Sequence, residues 1–285
     1  MASLREMRKR IGSVRSISKI TKAMKMVAAA RLRKAQEAIL AARPYARRLE
    51  EVLADIASRH DVSDTPLLRP SGGEKILLVV ITADKGLCGS FNTNILRQLT
   101  RFLRERPGKN IEIITVGRKA RDFCARRSLP LRQSYVDIFR ELKMAHATDL
   151  RDLVVDAFLA GEAGEVWLIY NEFKSAMAQQ IVTKQLLPVQ ESSVAKKKAQ
   201  VDFEYEPNVQ EVFSALLPTY FAIELWTAFL ESFSAEMGAR MTSMESATKN
   251  ATDMIGRLTL VSNRLRQAGI TREIAEIVGG AEALK

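Results

Sequence analysis

The stretch Thr82-Ala-Asp-Lys-Gly-Leu-Cys-Gly-Ser-Phe-Asn92 has residues that could cradle a phosphate: it follows an apolar run, carries Gly86 and Gly89, and leads into a helical pattern. Backbone amides at a helix N-terminus make a ready anion site. The stretch is neither Gly-x-Gly-x-x-Gly nor Gly-x-x-x-x-Gly-Lys-Ser/Thr, and neither string occurs elsewhere in the chain. A tight turn, with glycines for backbone geometry and Ser90 or Asn92 as helix N-cap, explains the same residues and is the favoured reading. Cys88 could be a reactive thiol near a helix N-terminus, although a small buried residue is the simpler reading. His60 and His146 stand alone, with no neighbouring Cys or carboxylate pair that would build a metal site or a nucleophile-base set. Glu50 and Glu51 read as the polar face of a solvated helix. No catalytic, cofactor-binding or metal-ligating residue is therefore expected, and no cofactor.

Charge is the stronger signal. The chain has a net charge of +11, and residues 1–34 hold eleven Lys/Arg against the single acid Glu6. From 61 onward, basic and acidic residues nearly balance, 29 against 28. Three readings of the cationic stretch Arg5–Lys34 are open. It could neutralise nucleic-acid phosphates, but it has no interleaved aromatic residue to stack on bases. It could lie on a membrane surface, but its apolar stripe lacks Trp and Phe. It could be a stalk helix whose basic outer face meets an acidic protein surface, which is the favoured reading.

The elements that would carry these residues fall into three blocks: 1–60, 75–190 and 208–285. In the first, apolar residues at Leu4, Met7, Ile11, Val14, Ile17, Ile20, Met24 and Val27 mark one helical stripe with a slip near Ile17. Pro44 should end or kink that helix. In the third, Met237, Met241, Met244, Thr248, Ala251, Ile255, Leu258, Ser262 and Leu265 are spaced alternately by four and three, a heptad seam. Gly279 and Gly280 should stop it. Asp61–Lys75 reads as a linker and Gln190–Gln200 as a loop.

The middle block alternates strands (75–82, 111–117) with helices (92–106, 118–127, 147–160). A hairpin of 165–172 and 180–189 follows, so a mostly parallel sheet is expected. Two helices of roughly 85 and 105 Å cannot bury their stripes on a domain of that size. They should pair antiparallel with each other. No apolar run of ~18 residues is evident, which argues against an integral membrane protein, and no secretory signal is expected. The two cysteines, Cys88 and Cys124, fit a reducing compartment.

The strings Lys19-Ile-Thr-Lys-Ala-Met-Lys-Met-Val-Ala-Ala-Ala30, Ala83-Asp-Lys-Gly-Leu-Cys-Gly89 and Met241-Thr-Ser-Met-Glu-Ser-Ala-Thr-Lys-Asn-Ala251 resemble the gamma subunits of F-type (proton-translocating) ATP synthases. Asn263–Ile274 and Glu276–Gly280 add to the likeness, which covers essentially the whole chain. The resemblance implies an α/β fold plus a long helical coiled coil: an antiparallel two-helix stalk from both termini with an inserted Rossmann-like α/β domain. It implies a non-catalytic rotor at the cytoplasmic face of the bacterial inner membrane, peripheral to it. That rotor would couple proton flow to ATP synthesis or hydrolysis and regulate both. Its partners would be three alpha and three beta subunits, the epsilon subunit and the c-subunit ring, with no nucleic acid. The alternative is a nucleic-acid-binding coiled-coil protein with a basic N-terminal helix.

By position, the resemblance implies that Met24 and Lys25 meet a beta-subunit loop, with Arg240, Gln267 and Thr271 on the C-terminal helix at the corresponding level. Tyr205 and Glu206 would lie in the foot, near epsilon and the c ring. Lys25 stands where many relatives carry Glu, Ser262 where an aromatic is common, and Ser90 where Gly is common. No cysteine pair occurs around 190–210, so the thiol switch of chloroplast relatives is not expected.

Overall fold

The computed structural model describes residues 3–62, 64–189 and 205–282. The expected loop Gln190–Gln200 lies outside them. The chain divides into two compact units, one of residues 1–28 with 241–285 and one of residues 29–240. Two long helices enter both: α1 (Leu4–Arg59) and α5 (Val209–Glu282).

The central unit is built on a five-stranded sheet of order β3-β2-β1-β4-β5. Its strands are β1 (Lys75–Ile81), β2 (Ile111–Val116), β3 (Leu131–Tyr135), β4 (Ala163–Phe173) and β5 (Gln179–Leu187). All neighbours are parallel except β4 and β5, which form the expected antiparallel hairpin. β1 sits in the middle and is buried on both faces, which is why it reads as a continuous apolar run rather than an alternating one.

Alternation along β1 assigns the two faces. Ile76, Leu78 and Val80 pack with Ile95, Leu99 and Phe102 of α2 (Phe91–Arg104) and Ala120 and Cys124 of α3 (Arg118–Arg126). Leu77, Val79 and Ile81 belong to the larger core. That core takes Leu150, Val154 and Phe158 from α4 (Met144–Leu159), Leu49, Leu53 and Ile56 from α1, and Phe213, Leu217, Phe221, Leu225 and Phe229 from α5. α5 contains one 18-residue window apolar enough to cross a membrane by composition, contrary to the reading of the sequence. Half of that window is buried in the protein, and the apolar residues just named are committed to this core.

In the terminal unit, α1 and α5 run antiparallel. Thr21 is hydrogen-bonded to Thr248, and four residues further along α1, Lys25 pairs with Glu245, three residues back along α5. The nine heptad positions read from Met237 to Leu265 are all buried or half-buried.

Several readings are corrected. The stripe of α1 does not follow Ile17, Ile20 and Val27, which are exposed; the inward positions are Met7, Ile11, Val14, Ser18, Thr21, Lys25 and Ala28, an unbroken four-three spacing. A heptad in which polar and alanine residues occupy the seam is invisible to a search for apolar periodicity. Pro44 does not end α1, and Pro218 lies inside α5. Gly279 and Gly280 do not end α5, which continues to Glu282. β3 was not expected at all. It is a short, polar edge strand, so neither alternation nor an apolar run marks it.

Candidate functional site

The turn after β1 is tied down by its own residues. Ala83 N–H donates to Asn92 Oδ1 at 3.0 Å, and Asn92 Nδ2 donates to Lys85 O at 3.4 Å and to Cys88 Sγ at 3.1 Å. Leu87 and Gly89 take left-handed backbone, with φ of 63° and 57°. The amides of Ala83, Phe91 and Asn94 already have acceptors within the chain, in Asn92 Oδ1, Cys88 O and Ser90 O. Asp84 Oδ1 accepts from Arg118 N–H at 2.9 Å, at the start of α3, and Thr82 Oγ1 accepts from Ala120 N–H at 2.9 Å. Gly117 precedes α3 with φ of 97°, and a Cβ there would meet Thr82 O at 2.1 Å, so only glycine permits this approach. The chain thus supplies its own carboxylate and hydroxyl to the amides at the start of α3, a kind of site that an anion could otherwise occupy.

Neither thiol is placed to react. Cys88 and Cys124 are buried; burial pushes the Cys88 thiol up, helped by Glu236, and pushes Cys124 up to about 11. His146 Nδ1 accepts the Lys143 N–H and caps α4. The His60 ring meets the Tyr205 ring edge-on at 5.5 Å. Among the described residues, no three His, Cys, Asp or Glu side chains gather as a metal site. Glu50 is less fully solvated than the sequence implied: partial burial, and Glu224 nearby, raise its carboxyl above the usual range.

The residues expected to meet partners fall at several places. In the terminal unit Met24 and Lys25 are half-buried, and the Lys25 ammonium lies 2.6 Å from Glu245 Oε1. Gln267 and Thr271 lie 22 and 26 residues beyond Glu245 on α5, roughly 33 and 39 Å along a helix of 1.5 Å rise per residue. The expectation of one common level is therefore corrected: these are separate levels. Leu4, where α1 begins, falls opposite the region of Leu265 in the observed register, so among the described residues no part of α1 pairs with the helix beyond. Every residue from Arg266 to Ala281 is exposed, including Ile270, Ile274, Ile277 and Val278. In the central unit, Tyr205 is half-buried against the larger core and Glu206 is exposed. Arg240, also in the central unit, has a side chain only 11% exposed and donates to Glu236 Oε1 at 2.5 Å.

Comparison with known proteins decides what kind of molecule this is. A family model described as ATP synthase matches residues 3–284. The ATP synthase gamma chain of Anaeromyxobacter dehalogenans is 48% identical over 289 residues, covering all of both chains. That of Geobacter metallireducens is 46% identical over 287 residues, again covering all of both.

The chain belongs to the ATP synthase gamma-chain family.

A solved chain of the Tetrahymena thermophila mitochondrial ATP synthase, from a structure of its central stalk and c-ring, is similar in fold and sequence. Its TM-score is 0.60 at 28% identity, covering 80% of this chain and 99% of that one. A chain of the Euglena gracilis mitochondrial ATP synthase, in a structure of OSCP, F1 and c-ring, has a TM-score of 0.71 at 22% identity, covering 99% and 94%, a likeness of fold. As a gamma chain, the protein is a non-catalytic subunit of a membrane-associated ATP synthase and a central-stalk component. The nucleic-acid-binding alternative has no support in these comparisons. What sequence reasoning missed is the use of Arg240, because the turn carbonyls it reaches lie more than 150 residues away in the chain.

Proposed function

We propose that this gamma chain is the rotating shaft of a bacterial ATP synthase at the cytoplasmic face of the inner membrane. In this reading it turns inside a ring of three alpha and three beta subunits. Its foot engages the epsilon subunit and the c-subunit ring, through which proton flow drives the turning. The sequence blocks 1–60 and 208–285 are the two strands of the shaft, and 75–190 is the foot domain. The observation that carries the reading is the end of α5. A helix whose residues from Arg266 to Ala281 are all exposed, with Ile270, Ile274 and Ile277 on one stripe, is not supported by its own chain. An apolar helical stripe of that kind needs cover from another molecule.

A second surface is consistent with the same partners. Ile17, Ile20 and Val27 are exposed on α1 among Lys19 and Lys22, a mixture that suits acidic, apolar loops. Met24 and Lys25 face one set of beta-subunit loops in this reading, and Gln267 and Thr271 another. Tyr205 and Glu206 belong to the foot. The chain itself performs no chemistry. It acts by differential affinity: the faces it presents are unequal, so the three beta subunits meet different contacts at any instant and hold nucleotide differently. The same asymmetry lets it regulate ATP hydrolysis and proton flow.

The test is affinity purification of the tagged chain from its own membranes in mild detergent, with subunit masses and stoichiometry. One copy with three each of two larger nucleotide-binding subunits is the expected result. Recovery of the chain with nucleic acid and no such ring overturns the reading.

A further inference from the structure

Arg240 lies within the central unit at a place where three kinds of group converge. Its Nη1 donates to Glu236 Oε1 at 2.5 Å and approaches Met237 Sδ at 3.8 Å. Its Nη2 donates to Gly86 O at 3.2 Å and to Lys85 O at 3.5 Å, both in the turn after β1. Beneath the guanidinium, Ala83, Cys88 and Phe91 pack against Ala235 and Ala239 of α5, with Phe173 alongside. Gly238, beside Ala239 on α5, is closely approached by the end of β4 and the residues that follow it. A Cβ on Gly238 would sit 3.1 Å from Ala176 Cα and 3.2 Å from the Phe173 ring.

The Glu236 side chain is only 7% exposed. Burial raises its carboxyl above the usual range, Arg240 opposes the rise, and Asp84 and Arg31 are the other charges that bear on it. For Arg240 to reach a partner subunit, it would have to leave two carbonyls and strand a buried carboxylate, which is strongly unfavourable. The turn it holds keeps Leu87, 63% exposed, in left-handed backbone. A non-glycine residue holds that conformation only where its surroundings over-determine it.

We propose that Arg240 is a positioning residue: it clasps the Asp84–Gly89 turn to α5, so that the α/β domain and this stretch of the helix move as one body, and it makes no contact with a partner subunit. The proposal rests on the rotor reading for its functional meaning, while the clasp itself is a property of the chain.

The experiment has two arms. In the full chain, Arg240→Ala is compared with the parent by amide hydrogen exchange across 84–89 and by iodoacetamide alkylation of Cys88, with buried Cys124 as the internal control. The expected result is exchange and Cys88 alkylation at least about tenfold faster, with Cys124 unchanged. Should Arg240→Ala fail to fold, the double variant Glu236→Met with Arg240→Met removes both charges and still frees the turn carbonyls.

In the assembled synthase, the same variants should pump fewer protons per ATP hydrolysed while the subunit stoichiometry stays intact. Arg240→Lys, which keeps the pairing with Glu236 but not the forked reach to the turn, should fall between them and the parent. A turn as protected as in the parent, together with weaker association with the alpha and beta subunits, overturns the proposal and makes Arg240 a partner contact. Unchanged coupling with a freed turn overturns the positioning role. If the parent chain assembles with no ring, it is the rotor reading that fails, and the exchange arm still measures the clasp.

Discussion

The two units use the same two helices and nearly the same four-three spacing, yet bury very different side chains. In the central unit the inward positions of α1 are Leu32, Ala35, Ile39, Leu49, Leu53 and Ile56, all buried. Leu49, Leu53 and Ile56 share a core with a stretch of α5 carrying Phe213, Leu217, Phe221, Leu225 and Phe229. In the terminal unit α1 buries only Met7, Thr21 and Ala28, while α5 buries Met244 and Ala251. A helix that packs on a sheet and other helices can be apolar and aromatic along its stripe. Where two helices have only each other, much of each stays in solvent, and the chain uses alanine, methionine and threonine at the seam. Methionine tolerates several packings, which suits a seam with so little else to bury.

This contrast can be broken by experiment. The largest effect is expected from Phe229→Ala, which empties a site where the ring meets Phe139 edge-on at 6.3 Å; a loss of about 3–5 kcal/mol is expected. Urea denaturation followed by tryptophan fluorescence reads it, since Trp167 and Trp226 both lie in the central unit. Met244→Ala, in the terminal pair, should cost about 2 kcal/mol. It should show in helical circular dichroism while the tryptophan transition stays in place. Equal losses in a single shared transition would end the distinction between the units.

A subtler difference is pH dependence in the central unit. Lys75, at 2.7 Å, and then Arg132, at 3.3 Å, hold the Glu112 carboxyl below its usual range. A depressed folded pKa contributes stability above the unfolded carboxylate pKa, and that stability is lost as pH falls through the folded value. Glu112→Gln should therefore lower stability at neutral pH and converge with the parent in acid; parallel curves would exclude the ion cluster as the cause.

Lys25→Ala should cost only about 0.2–1 kcal/mol, because the pair is well solvated, with side-chain exposures of 37% and 59%. Removing residues from Thr271 onward should leave stability unchanged to within about 0.5 kcal/mol, because Thr271 to Ala281 are all exposed among the described residues. In the assembled synthase it should weaken coupling while leaving some rotation. Full proton-driven synthesis by a variant ending before Gln267 would contradict the role given to the tip of α5.

How far the sequence could be read follows from the same contrast. The seam of α5 from Met237 to Leu265 was legible because enough of its positions are apolar. The seam of α1 was not, because Ser18, Thr21 and Lys25 face inward while Ile17, Ile20 and Val27 face out. Those outward residues are the ones proposed above to meet partner subunits. The buried strands β1 and β2 announced themselves as apolar runs, whereas β3, polar and at the edge, gave no signal. The turn at Gly86–Gly89 was correctly favoured as a turn. Its anchorage by Arg240 depends on a pairing that no local pattern encodes.

That α1 precedes its core partner α5 by so much of the chain has a consequence for biosynthesis. Leu49, Leu53 and Ile56 are translated long before Phe213, Leu217 and Phe221, with which they share a core. At ~5–20 residues per second, the wait for roughly 160 residues is on the order of 10–30 s. During that time the apolar stripe of α1 has left the ribosome and its helix partner does not yet exist. The sheet cannot shelter it early either, because central strand β1 needs β4, which arrives only at Ala163. The newborn chain thus carries a long, cationic, half-apolar helix with nothing of its own to pack against, and its assembly is committed only when the last quarter of the sequence emerges.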